Sequence, residues 1–340
     1  MAESTAQINR SVEQSTEQTN PTHANIEVDL EATDNESTYD QEISTYTASL
    51  TSSVLNYRHE NGRTYHGYRD GAYLLPNDES EKDRLDMMHE MMLVMLDRQL
   101  FLAPIDSPRR VLDLGTGTGI WAIQFADQFP AAEVVGTDLS PIQPSLVPPN
   151  CKFIIDDMED EWVNEQPYDF IHARFLVGGV KNFSRLLKRC YEHTAPGGWV
   201  EFQDWDTRLY SEDGTLKGTS LEKYYKAILP AYDKAGVLVY PGPYLENWFR
   251  EAGFVDVHAK KYRLPLGTWP KDRYYKTLGT WNLMSVESGF EAAAMAVLTR
   301  NEGWSQEQVS ALVEEAWNDA RSHKVHGVFD YYFVYGRRPE

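Results

Sequence analysis

Residues 109–129 read RRVLDLGTGTGIWAIQFADQF, and this stretch decides the fold. Val111-Leu112-Asp113-Leu114 is a short buried strand, and the residues after the glycines carry the spacing of an amphipathic helix. Between them Gly115, Gly117 and Gly119 form a turn that admits positive φ and lets backbone approach a ligand closely. The spacing is G-x-G-x-G. A dinucleotide fingerprint needs its third glycine at position 120, which is Ile120. A P-loop needs Lys and then Ser or Thr after Gly119, where Ile120-Trp121 stand. No Lys or Arg within the turn could neutralise a phosphate.

The segments that follow point to a nucleoside instead. Residues 132–137 form a second strand that ends at Asp138, whose carboxylate can accept both hydroxyls of a ribose. Leu139 follows it at the same strand tip. A third strand, 152–155, runs into Asp156-Asp157-Met158, where one carboxylate can meet the amine of adenine and a backbone N–H a ring nitrogen. Alternation along the strand favours Asp157 over Asp156 for that contact. A fourth strand, 168–172, is followed after a helix by Pro196-Gly197-Gly198 and a fifth strand from Trp199 to Phe202. Strands alternating with helices imply an α/β fold, a doubly wound and mostly parallel sheet with ligands at the carboxyl ends of its strands.

Taken together, Asp113-x-Gly115-x-Gly117-x-Gly119, Asp138, Asp157-Met158 and Pro196-Gly197-Gly198 resemble the class I S-adenosylmethionine-dependent methyltransferases over residues 108–206. More loosely, a helix at 245–252 and strands at 255–262 and 329–336 match the family's later elements, which implies a seven-stranded, Rossmann-like sheet. Residues 60–89 and 153–162 also resemble fungal methyltransferase-like regulators of secondary metabolism, the group typified by loss of aflatoxin expression and often described as trans-aconitate-methyltransferase-like. The resemblance implies S-adenosyl-L-methionine as cofactor. It assigns Asp113, Gly115, Gly117 and Gly119 to the methionine end, Asp138 to the ribose, and Asp157 with Met158 to the adenine, with Leu139 a further cofactor-binding candidate.

Methyl transfer is an in-line displacement, so positioning and desolvation supply most of the catalysis. A general base is needed only when the acceptor carries a proton. His172 and Arg174 lie just past the fourth strand and share one side of it. His172 is either the base or a satisfied histidine at the strand end. Arg174 would orient an acceptor carboxylate or hold that of the cofactor. Glu201 and Asp204 are further candidates. His323 and His326 share no metal-ligand spacing with Cys or carboxylates, so no metal is expected.

Specificity is expected in a helical cap drawn from residues 51–105, 205–244 and 267–326 around core motifs at 108–206. The middle segment contains Trp205, Tyr210, Tyr224, Tyr225, Tyr232, Tyr240 and Tyr244, and the last contains Tyr274, Tyr275, Trp281 and Met284. Five methionines, Met87, Met88, Met91, Met92 and Met95, mark a helix over 81–102 that either fills core or lines a pocket. Ser80 with Asp83 resembles its capping box, and Ser305 with Gln308 resembles another.

Composition bounds the remainder. The chain has 340 residues and a formal charge of −20, which argues against direct nucleic-acid binding. Residues 1–50 hold −9 of that charge and read as a disordered, Ser/Thr-rich tail, leaving 51–340 as the methyltransferase domain. No run of eighteen apolar residues is present, so no membrane association is expected. Two cysteines point to a reducing compartment. The expected location is the cytoplasm, with the nucleus as the alternative. The expected partner is a small-molecule methyl acceptor, with regulatory protein partners as the second reading.

Overall fold

The computed structural model describes residues 57–69, 71–162 and 166–340. The acidic tail expected over 1–50 lies outside the described residues.

The hairpin β1 (Arg58–Glu60) and β2 (Arg63–Tyr65) leads into helix α1 (Glu79–Met95). Next come β3 (Arg110–Leu114), α2 (Ile120–Gln128), β4 (Glu133–Asp138), β5 (Cys151–Ile155), β6 (Tyr168–Arg174) and α3 (Phe183–His193). The long β7 (Thr194–Tyr210) is followed by α4 (Ser220–Lys234), α5 (Gly242–Ala252) and β8 (Val255–Leu266). Helices α6 (Arg273–Glu302) and α7 (Gln306–Ala320) precede the last strand, β9 (Gly327–Arg337). Seven strands form one sheet in the order β5-β4-β3-β6-β7-β9-β8. The first five run parallel, and β9 pairs antiparallel with both β7 and β8. This is the doubly wound α/β sheet that the strand–helix alternation implied.

Period-two alternation sends adjacent residues to opposite faces. Val111, Val134 and Phe170 pack with Trp121 and Phe125 of α2. Their neighbours Leu112, Val135 and Ile171 pack on the other face with Phe183 and Leu187 of α3 and with Leu245 and Phe249 of α5. Both faces are therefore covered, which is why these strands read as continuous apolar runs.

β7, β9 and β8 continue past the carboxyl edge of the parallel strands, and the extension carries the cap. Leu264, Leu266, Phe329 and Tyr331 share one apolar cluster with α1, α4, α6 and α7. Met88, Met91, Met92 and Met95 are all buried there, so most of the methionine stripe serves as core, while Met88 also lines a cavity.

Two helix boundaries differ from expectation. α1 is capped by Asp78, whose side chain accepts from Glu81 N at 3.1 Å, and not by Ser80. Asp78 is fixed from the other side by the Arg63 guanidinium at 2.6 and 2.9 Å, a tertiary constraint invisible in the local pattern. The helix stops at Met95 because Asp97 and Arg98 turn left-handed, at φ 51° and 65°. The Ser305–Gln308 capping box of α7 is present. Asp78→Ala removes both the cap and the partner of Arg63, so it should cost about 1–2 kcal/mol in urea unfolding. Glu79→Ala, at an exposed neighbour, should stay within about 0.5 kcal/mol.

Candidate active site

The carboxyl edge of the sheet holds a cavity bounded below by the β3–α2 turn and above by α1. Gly115 and Gly117 stand at φ 62° and 58°, so their backbone reaches positions that an L side chain disfavours. A Cβ on Gly115 would lie 2.7 Å from Leu176 Cδ2 and 3.2 Å from Met158 Cε, closing the space between turn and wall. Asp138 projects from the end of β4. Its Oδ2 accepts from Gly117 N and its Oδ1 from Ser140 N, each at 2.9 Å. Burial pushes this carboxyl up to about 6, against the opposing pull of those two N–H groups. Each oxygen keeps a free lone pair, so the carboxylate can still accept a vicinal diol.

Gly115, Gly117, Asp138, Leu139, Met158 and Arg174 are brought together around this cavity. Other expected residues are not. Asp113 is buried, with Oδ1 bound by His172 Nδ1–H at 2.7 Å and Oδ2 by the Thr116 hydroxyl at 2.5 Å. It holds the glycine turn from behind and does not line the cavity. Gly119 is the N-cap of α2 at φ 81°, packed on the Phe153 ring. Asp157 accepts from Glu159 N, and Asp156 from Asp157 N, so both shape the turn that presents Met158.

His172 as a base facing the methyl is corrected by the structure. Its imidazole is fully buried, bonded to Asp113 and stacked on Trp121 at 3.7 Å between centroids and 4° between planes. Burial lowers its proton affinity, and the ring lines neither cavity. His172 and Arg174 do share one side of β6. Trp121 of α2 covers the first, while the second extends to His89 of α1.

The cap supplies residues that sequence reasoning missed: Tyr73, Asn77, Glu81 and Leu85 line the cavity from above. The available signal was the segment from Tyr73 to Leu85, which carried the narrower resemblance but no assigned role. Asn77 Nδ2 reaches Ser140 Oγ at 3.4 Å, and Asp86 accepts from the Thr118 hydroxyl at 2.7 Å, tying α1 to the loops below.

A second cavity adjoins the first, and Tyr73, Leu85 and Phe175 line both. Each encloses about 840 Å³ of empty space, part of it open to solvent. The second is walled by Met88, Trp205, Tyr224, Tyr225, Tyr232 and Phe290, so part of the aromatic insertion does form a pocket. Tyr210, Tyr240, Tyr244, Tyr274, Tyr275, Trp281 and Met284 lie elsewhere. Phe175, at the junction, is held at φ 54°, a conformation costly for an aromatic residue.

A family model for a methyltransferase domain matches residues 87–259, just over half of the chain. The chain belongs to the methyltransferase family. It is 43% identical over 295 residues to methyltransferase pytC of Aspergillus terreus, covering 86% of this chain and 91% of that one. It is 37% identical over 290 residues to the secondary metabolism regulator LAE1 of Cochliobolus heterostrophus, covering 83% and 94% of the two chains. The protein-methionine methyltransferase laeA of Emericella nidulans is 33% identical over 295 residues, covering 86% and 79%. In this methyltransferase the glycine-turn cavity fits a nucleoside cofactor. A half-buried carboxylate stands at the strand tip with room to accept from a diol, the glycines admit close approach, and Met158, Ile142 and Leu176 supply apolar walls.

Behind the cavities sit two further carboxyls. Glu201 accepts from Leu102 N and Ala103 N at 2.8 and 2.6 Å, and burial raises it to about 7. Asp204 is raised to about 8, again chiefly by burial, and its Oδ2 has no partner. Both tether loops and neither lines a cavity. The folded Asp204 keeps its proton up to about pH 8, while the unfolded chain releases it near 3.8. Its contribution to stability therefore falls as pH rises through that window and levels off above it. Asp204→Asn should flatten the decline in melting temperature between pH 6 and 8, read by scanning calorimetry; an unchanged slope would remove Asp204 as its source.

Proposed function

We propose that the chain transfers a methyl group from S-adenosylmethionine to a small molecule, in the formation of a secondary metabolite. The observation that carries this reading is the pair of joined cavities, one built on glycines and a carboxylate, the other on aromatic side chains under the cap. When bound, S-adenosylmethionine supplies an electrophilic methyl on a sulfonium centre. Gly115 and Gly117 offer backbone to its amino-acid end, Asp138 accepts from the ribose hydroxyls, and Leu139 and Met158 flank the adenine. Asp113 and His172 act as positioning residues, holding the turn through Thr116 and the strand through Trp121. The cap roofs the junction at Phe175 with apolar side chains, which limits the water that reaches the methyl. The likeness to pytC, a named methyltransferase, supports the enzymatic reading.

The protein should transfer label from methyl-labelled S-adenosylmethionine to a low-mass product when incubated with fungal metabolite extract. Label recovered only on protein would contradict it. Likeness to relatives named as regulators of secondary metabolism supports a second reading, in which the cofactor-binding chain acts through protein partners. Partner capture that depends on an intact Asp138 would favour that reading.

A further inference from the structure

The cavity under the cap has no group that could take a proton. Among the described residues lining it there is no His, Asp, Glu, Lys or Cys. Four of its hydroxyls are turned into the protein: Tyr224 and Tyr232 donate to the Phe290 and Ala293 carbonyls at 2.8 Å, Ser285 to the Asn282 carbonyl at 2.9 Å, and Thr207 to the Val239 carbonyl. Burial raises the phenols of Tyr224, Tyr225 and Tyr232 further from ionisation. Arg84 is closed off by two bonds to Glu81 at 2.8 and 2.6 Å. What remains open are donors: the phenols of Tyr73 and Tyr225, which burial also holds protonated, and the indole N–H of Trp205, which is buried without a partner.

The junction carries a further open donor. Arg174 reaches the boundary of the two cavities, its guanidinium carbon 5.6 Å from the centre of the Phe175 ring. It donates to His89 Nδ1 at 2.7 Å and, among the described residues, forms no ion pair. The nearest acidic groups are engaged elsewhere, Asp113 with His172 and Thr116, and Asp86 with Thr118. Burial draws Arg174 down to about 10, so it remains a cation at neutral pH. This half-buried cation has no opposing carboxylate in contact, so its charge is available to an anion that enters the junction.

We infer that the methyl acceptor is an organic acid, already ionised at neutral pH, whose flat apolar body lies under the cap and whose anionic oxygen meets Arg174. This rests on the methyl-transfer reading. The acceptor oxygen gives a lone pair to the new O–CH3 bond, and the pair of the broken C–S bond stays on sulfur. An anion and a sulfonium become a neutral ester or ether and a neutral thioether. No proton is released, so the missing base is not needed. Loss of charge also weakens the hold of Arg174 on the product, which aids its release.

The test uses the full chain saturated with S-adenosylhomocysteine, and two planar probes of similar size, 1-naphthoate and neutral 2-naphthol. Naphthoate should bind at least about tenfold tighter, the difference expected of a charge-assisted hydrogen bond. Arg174→Gln should abolish that preference while leaving naphthol affinity within about twofold. Trp205→Phe removes the open indole N–H and part of the cavity wall, and provides a second variant if Arg174→Gln does not fold; it should weaken both probes. Equal or reversed affinities of the two probes for the wild type would overturn the inference. So would an Arg174→Gln protein that loses S-adenosylhomocysteine instead, since the guanidinium would then belong to the cofactor's carboxylate. Failure of the wild type to bind S-adenosylhomocysteine at all would instead break the methyl-transfer reading beneath it.

Discussion

Gly119→Ala should lower the unfolding free energy by roughly 2–5 kcal/mol, from two costs that act together. The first is backbone: residue 119 caps α2 at φ 81°, where a Cβ meets its own carbonyl, at about 1–2 kcal/mol. The second is steric. A Cβ there would stand 2.8 Å from Phe153 Cε1 and closer still to Cζ. The ring cannot retreat, because a Cβ at Gly136 would be 2.7 Å from the same ring, which is wedged between the two glycines. Overpacking of this kind costs about 1–3 kcal/mol. Urea unfolding measures the sum. A loss below about 1 kcal/mol would mean that the ring and turn relax freely, contrary to the packing described.

Asp138→Asn should weaken S-adenosylhomocysteine binding by about 10–100-fold, as it keeps the shape and removes a charged acceptor worth about 1.5–3 kcal/mol. The pH profile carries the sharper signature. Wild-type Asp138 is half-protonated near pH 6 because burial opposes its charge. If, as proposed, the ionised form accepts from both ribose hydroxyls, affinity should rise by up to about tenfold per pH unit below 6 and level off above 7. The Asn variant should be flat across that range. A wild-type profile equally flat from pH 5 to 8 would show that Asp138 does not face the ligand.

The sheet was legible because its signals are local. Alternation along β3, β4 and β6 assigns each residue to a face, and the glycine turn and Asp138 follow from one β-α-β unit. What was not legible depends on distant elements. Placing His172 and Arg174 on one side of β6 was sound, yet alternation says nothing of which neighbour covers a side chain. Trp121, from α2, makes one a buried positioning residue, and the length of Arg174 carries the other to the junction. Asp113 was assigned to ligand by resemblance, whereas both its oxygens are engaged by Thr116 and His172; Asp157, reached by alternation as well, gives one oxygen to Glu159 N. Tyr73 and Leu85 entered the site only because β7, β8 and β9 outrun the parallel strands and raise a platform for α1. No periodicity near residue 80 encodes that.

The central claim is that the glycine-turn cavity binds S-adenosylmethionine and its demethylated product. Calorimetric titration of the wild-type chain with S-adenosylhomocysteine at pH 7.5 tests it most directly. One saturable site of roughly micromolar affinity, about −8 kcal/mol, is the predicted result. The absence of saturable heat up to millimolar ligand would contradict it, leaving a methyltransferase fold whose cavity serves something other than this cofactor.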